Sequence, residues 1–242
     1  MGTSLFTFLA LAAALPTVFI AGDSTANNAN HRGWGDPIAK YFDLTRINVA
    51  NRARGGRSAR TFVDEGLWDK LIADVKPGDY VLIQFGHNDG GPPDNDKARG
   101  DLPGIGDEAK DFTMPDGKQE TIHTFGWYIG KFVRETKAKG AHPIVVSLTV
   151  RNIWKDGKVE RGSGHFGEWS RQVAEAEGVP FEDATNIIAD AYEKLGPEKV
   201  ATLFPEDHTH TSPEGADLVA SLIVSGLRKI NSPLAEYLVS PR

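Results

Sequence analysis

The chain has 242 residues, 40% of them hydrophobic, enough for a full core and better suited to one large domain than to two small ones. Its 27 Lys and Arg against 33 Asp and Glu give a formal net charge of −6, which argues against general nucleic-acid binding because no excess cation is present to displace phosphate counterions. Cysteine is absent, which excludes disulfides, thiolate metal ligands and a cysteine nucleophile.

Residues 4–15 (SLFTFLALAAAL) form an uncharged apolar run too short to span a bilayer. It resembles the apolar part of a secretory signal, with Ala12-Ala13-Ala14 as a small-residue cleavage site, although a basic start is missing. The expectation is that residues 1–15 are a signal-peptide remnant or an N-terminal apolar extension of a secreted or periplasmic protein. Residues 16–242 then form a single domain without a membrane span. The first strand is expected at 17–21 (TVFIA) and the second at 46–50 (RINVA). A helix over 59–75 carries Phe62, Val63, Leu67, Leu71, Ile72 and Val75 at helical spacing, and Gly78 hands it over to a third strand at 80–85 (YVLIQF). Residues 88–123, rich in Gly, Pro and Asp, show no periodicity; a loop this long is usually functional or disordered. A helix over 125–139, closed by Gly140, precedes a fourth strand at 143–149, and a weak fifth lies near 179–182. The last helix, 212–230, has Ser212 as N-cap, Pro213 at its first position, and Leu218, Val219, Leu222, Ile223 and Leu227 on one face. Short β-branched strands alternating with helices predict an α/β architecture: three layers, α/β/α, around a central, mainly parallel sheet of about five strands. Such sheets bind ligands beyond the carboxyl ends of their strands.

The polar segments follow those strands. Ser24, in Gly22-Asp23-Ser24-Thr25, sits at a strand tip with an exposed hydroxyl, as a nucleophile or as a helix cap. In NRARGGRSAR (51–60), Gly55-Gly56 permits a tight turn and a backbone N–H aimed at an oxyanion; the alternative is a plain strand-to-helix turn capped by Ser58. Arg54, Arg57 and Arg60 are either a solvated face or a carboxylate site. In QFGHND (84–89), Asn88 offers an amide donor of the kind that stabilises a tetrahedral oxyanion, and His87 is a substrate contact or a satisfied polar residue. Asp207 and His210, three apart ahead of the last helix, can face one way as general base and orienting acid. Metal binding is disfavoured because no third ligand stands out, and His208 is the expected bystander. Trp34, Trp127 and Trp154 are core residues or platforms for sugar rings.

The four segments GDSTAN, GGRSARTF, QFGHND and DHTHTSPEGA resemble, in that order, the SGNH-hydrolase or GDSL-like esterase superfamily, and within it the rhamnogalacturonan acetylesterase group. The likeness extends from residue 17 to residue 230; Thr25 stands where other members carry leucine. It implies a flavodoxin-like fold, Ser24 as nucleophile, Asp207 and His210 completing the triad, and Ser24, Gly56 and Asn88 as oxyanion donors. It also implies deacetylation of a pectic plant cell-wall polysaccharide, rhamnogalacturonan, by a monomer, with no cofactor and no metal. Trp34, Arg57, Arg60 and His87 are the expected substrate contacts, the arginines because galacturonate and the protein are both anionic. The alternatives are an acetylesterase for another glycan, such as acetylated xylan, and a carbohydrate-binding relative that has lost catalysis.

Overall fold

In the computed structural model, which describes residues 14–240 apart from 96, 163 and 231, alternation along the central strands sorts their side chains into two cores. On β1 (Thr17–Gly22), Val18 and Ile20 enter one core and Phe19 and Ala21 the other. β2 (Asn48–Asn51) pairs with one edge of β1 and β3 (Tyr80–Gln84) with the other. Tyr80 and Leu82 of β3 join Val18 and Ile20, while Val81 and Ile83 join Phe19 and Ala21. A strand covered on both faces has no polar side, which is why these segments read as unbroken apolar runs.

A helical layer covers each face. α1 (Ala59–Asp64), α2 (Leu67–Asp74), α3 (Phe125–Ala138) and α4 (Phe166–Glu177) supply the second core. There Phe62, Trp68, Phe85 and Phe132 meet at ring separations of 4.3–6.3 Å. Burying each such ring contributes about 1.5–3 kcal/mol. α5 (Ala184–Leu195) and α7 (Pro213–Lys229) cover the first core, with the short α6 (Pro197–Ala201) between them. β6 (His142–Val146) and β9 (Phe181–Glu182) complete a five-stranded parallel sheet in the order β2-β1-β3-β6-β9. The chain reverses direction across the sheet between β1 and β3, and the crevice beyond that point is where ligands bind in open α/β folds.

The expected three-layer fold is present; its details differ. The helix expected over 59–75 breaks at Gly66, whose left-handed φ of +66° lets α2 set out afresh and bury Trp68 and Leu71. The second strand starts at Asn48 rather than at 46, and the fourth ends at Val146. The stretch 88–123 is not a plain loop. It holds an antiparallel hairpin: β4 (Ala109–Thr113) is exposed along nearly its whole length and β5 (Gln119–His123) buries only Ile122 fully, so neither shows an apolar alternation. A second, smaller hairpin joins β7 (Trp154–Lys155) to β8 (Lys158–Val159). The apolar N-terminal run lies, up to residue 13, outside the described residues.

Candidate active site

Ser24 stands two residues past β1, in a turn shaped by its neighbour. The Asp23 carboxylate, fully buried, accepts from Thr25 N–H and Thr25 Oγ1 at 2.8 Å, and the Asp23 carbonyl accepts from Ala26 and Asn27. Asp23 thus does the capping, and the Ser24 hydroxyl is left to point elsewhere: it lies 2.8 Å from His210 Nε2.

His210 reaches Ser24 because α7 begins just after it, with Ser212 Oγ accepting from Gly215 N–H as the N-cap. Two reciprocal bonds latch this turn to the chain beyond the serine: Arg32 Nε donates to the Thr211 carbonyl and Thr211 Oγ1 to the Arg32 carbonyl, both at 2.9 Å. Asp207 Oδ2 lies 2.7 Å from His210 Nδ1, while Oδ1 accepts the backbone N–H groups of Thr209 and His210. A carboxylate can only accept, so Nδ1 carries the ring proton and Nε2 turns its lone pair to Ser24. Burial pushes the Asp207 carboxyl up, but the bonds from the His210 ring and the two backbone N–H groups outweigh it and hold it at about 2.

Gly56, at φ +77°, and Asn88 stand at the ends of β2 and β3, beside Ser24. The Asn88 amide donates to the Arg57 carbonyl at 3.0 Å. Among the described residues no acceptor engages its second N–H, or the N–H of Gly56. Asp89 ties these loops together, accepting from Ala59 N–H at 2.7 Å and Gly86 N–H at 2.9 Å. Burial raises the carboxyls of Asp89 and its neighbour Asp101 well above the ordinary carboxylate range, and the charge of Asp89 raises Asp101 further. Ser24, Gly56, Asn88 and His210 share a cleft of about 550 Å³.

A nucleophile, a base, an orienting acid and two unengaged donors around one cleft are the parts acyl transfer needs. The sequence profile of the GDSL-like lipase/acylhydrolase family matches residues 20–218. The chain belongs to that family. Among relatives of this GDSL-like acylhydrolase, the rhamnogalacturonan acetylesterase of Emericella nidulans is 38% identical over 211 residues, covering 87% of this chain and 84% of the relative. The rhamnogalacturonan acetylesterase RhgT of Bacillus subtilis is 32% identical over 243 residues, covering 92% and 94%. The solved structure of YxiM from Bacillus subtilis superposes with a TM-score of 0.69 at 25% identity, over 89% of this chain and 57% of that one. An acetylxylan esterase from Geobacillus stearothermophilus, 18% identical, shares the fold with a TM-score of 0.60 over 94% and 97%.

Around the cleft of this acylhydrolase, His87 is one of the lining residues. Its Nε2 lies 3.0 Å from Thr149 Oγ1, and burial pushes the ring down to about 4, so it is neutral at neutral pH. Three other expected contacts are corrected. Trp34 is 1% exposed in the first core and gives its indole N–H to Gln84 Oε1, so no sugar can reach its face. Arg60 is also 1% exposed and binds Glu120 and the Pro93 and Ala98 carbonyls. Arg57 turns away to Glu65 and the Gly55 carbonyl and does not line the cleft. Trp127 stacks on His123 at 3.8 Å, and Trp154 donates to Asn152, so both are occupied within the fold. His208 is exposed, and its carbonyl accepts from Asn152 N–H.

The cations that do line the cleft are Arg32, Lys97, Arg99 and Arg151, with Glu206, paired to Arg32, as the acidic lining residue. Arg151 was within reach of the strand-end argument, since it follows the fourth apolar run. Lys97 and Arg99 lie in the segment without periodicity, where no local pattern marks them.

Proposed function

We propose that this chain is a secreted or periplasmic serine esterase that removes acetyl groups from rhamnogalacturonan. The 2.8 Å approach of Ser24 Oγ to His210 Nε2, backed by Asp207, carries the reading. His210 takes the Ser24 proton as Oγ attacks the acetyl carbonyl. The N–H groups of Ser24, Gly56 and Asn88 hold the resulting oxyanion, and each such donor lowers a barrier of this kind by about 3 kcal/mol. Collapse breaks the bond to the sugar oxygen, which leaves with the proton from His210. A water molecule then gives a proton to His210 and its oxygen to the acetyl carbonyl, releasing acetate and restoring Ser24.

Two relatives bearing the name rhamnogalacturonan acetylesterase, aligned over most of the chain, support the substrate. So does the cationic lining. A net charge of −6 repels a galacturonate polymer at long range, and Lys97 and Arg151 reverse the sign locally. A polymer of that size is met outside the cell, in keeping with the apolar N-terminal run, and one chain supplies the whole triad, so a monomer suffices.

Acetate release from acetylated rhamnogalacturonan and from acetyl xylan, with Ser24→Ala as control, tests the proposal. Preferential release from rhamnogalacturonan, lost in Ser24→Ala, is expected. Preference for xylan would move the substrate to another glycan, and binding without release would make the chain a non-catalytic carbohydrate binder.

A further inference from the structure

Arg99 comes from the long segment between β3 and β4, yet its Nη1 lies 3.0 Å from the Gly56 carbonyl and 2.9 Å from Asn88 Oδ1. We infer that Arg99 is a positioning residue for the oxyanion site, setting both side donors with one guanidinium group. The inference rests on the esterase reading above.

A guanidinium has only donors and a backbone carbonyl is only an acceptor. The Asn88 amide lies between one of each, with Arg99 at its oxygen and the Arg57 carbonyl at its nitrogen. Turning the amide over would set N–H against N–H and oxygen against oxygen, losing both bonds, so the pair selects one orientation and keeps the second N–H on offer. The positive charge behind Oδ1 also polarises that N–H outward. At Gly56 the glycine is needed for φ +77°, but glycine does not hold itself in place, and Arg99 fixes the peptide that follows.

Arg99 is itself held. The buried Arg60 guanidinium grips the carbonyls of Pro93 and of Ala98, the latter immediately before Arg99. Asp101 N–H, just after it, donates to the Asp89 carbonyl at 2.9 Å. Between these anchors Ala98 is kept at φ +48°, a left-handed conformation that a residue with a Cβ adopts only under constraint. Arg60 places the loop and Arg99 places the donors.

Because Arg99 also lines the cleft, its role must be separated from carboxylate binding. Hydrolysis of p-nitrophenyl acetate, which has no carboxylate, does so. Arg99→Ala is expected to lower kcat about 10–100-fold, since two donors lose alignment but neither is deleted, with KM within about 3-fold. Arg99→Lys is expected to recover part of the loss. In an Asn88→Ala background the Arg99→Ala factor shrinks at least about threefold, because half of what Arg99 positions is gone. A kcat within about 3-fold of the parent, or the same factor in both backgrounds, overturns the inference. If thermal melts show that Arg99→Ala does not fold, Arg99→Gln, whose amide N–H reaches one of the two acceptors, carries the same comparison. Ser24→Ala guards the premise: retained hydrolysis there removes the esterase reading itself, whatever Arg99 does.

Discussion

Replacing Asp207 by Asn changes one atom's character and nothing in shape. The Thr209 and His210 N–H groups, at 2.6 and 2.7 Å from Oδ1, require an oxygen there, so the new amide nitrogen must face His210 Nδ1. That contact reverses the ring tautomer, leaving Nε2 with a proton and unable to take one from Ser24. In serine proteases the corresponding change costs about 10⁴ in kcat, and a loss of about 10³–10⁴ is expected here. The effect on stability is far smaller. Holding the carboxyl at about 2 rather than its ordinary 3.8 corresponds to roughly 2 kcal/mol at about 1.4 kcal/mol per pH unit. The side chain is 43% exposed, so solvent screening cuts this to under about 1 kcal/mol. At about 2–4 °C per kcal/mol for a chain of this size, the melting temperature falls by no more than about 4 °C. Steady-state hydrolysis of p-nitrophenyl acetate beside a thermal melt measures both. A folded Asp207→Asn enzyme keeping more than a tenth of the parent kcat refutes the tautomer argument. A depressed carboxyl contributes stability above its unfolded value and loses it as pH falls through about 2, so Asp207 stays ionised in all ordinary assays. An acid limb above pH 4 then belongs to another group.

Lys97→Ala and Arg151→Ala are expected to cut deacetylation of uronate-containing oligosaccharides about 10-fold or more while sparing p-nitrophenyl acetate; equal loss on both substrates would count against a carboxylate contact. Arg57→Ala, bound to Glu65 instead, is expected to show no such preference in the same assay. Asp101 binds its proton more tightly folded than unfolded, so its contribution is full below the ordinary carboxylate range and is lost as pH rises through its raised folded value. Asp101→Asn, which replaces the titrating carboxyl by a group that stays neutral, is expected to raise the melting temperature by about 3–6 °C at pH 8 and little at pH 4.5; equal shifts at both pH values would sink this. Trp34→Ala is expected to cost about 3–5 kcal/mol of stability in a denaturant melt, with activity per folded molecule lost on all substrates alike; selective loss on polysaccharide would restore it as a sugar platform.

The sheet was legible because its central strands are buried on both faces and so wear their burial as uninterrupted apolar runs. The juxtaposition of Ser24, Asp207 and His210 was legible because they sit in short segments directly after a strand or before a capped helix, where local chemistry limits what Asp, Ser and His can do. What escaped was decided at a distance. Arg60 and Trp34 look identical in sequence whether they face a cleft or a core, and only packing sends Arg60 to Glu120 and Trp34 to Gln84. The hairpin at 109–123 escaped because its first strand is almost wholly exposed and its second buries only Ile122, and Arg99 because its acceptors, Gly56 and Asn88, lie 43 and 11 residues away.

The 2.8 Å contact between Ser24 and His210 joins residues 186 positions apart. On a ribosome adding ~5–20 residues per second, the serine emerges roughly 10–40 s before the imidazole that activates it. Through that interval the growing chain holds a hydroxyl no more reactive than any other serine. On the proposed mechanism, hydrolytic competence would arrive in one late event, when the turn at 207–211 locks onto Arg32, and an interrupted translation product would carry no stray esterase activity.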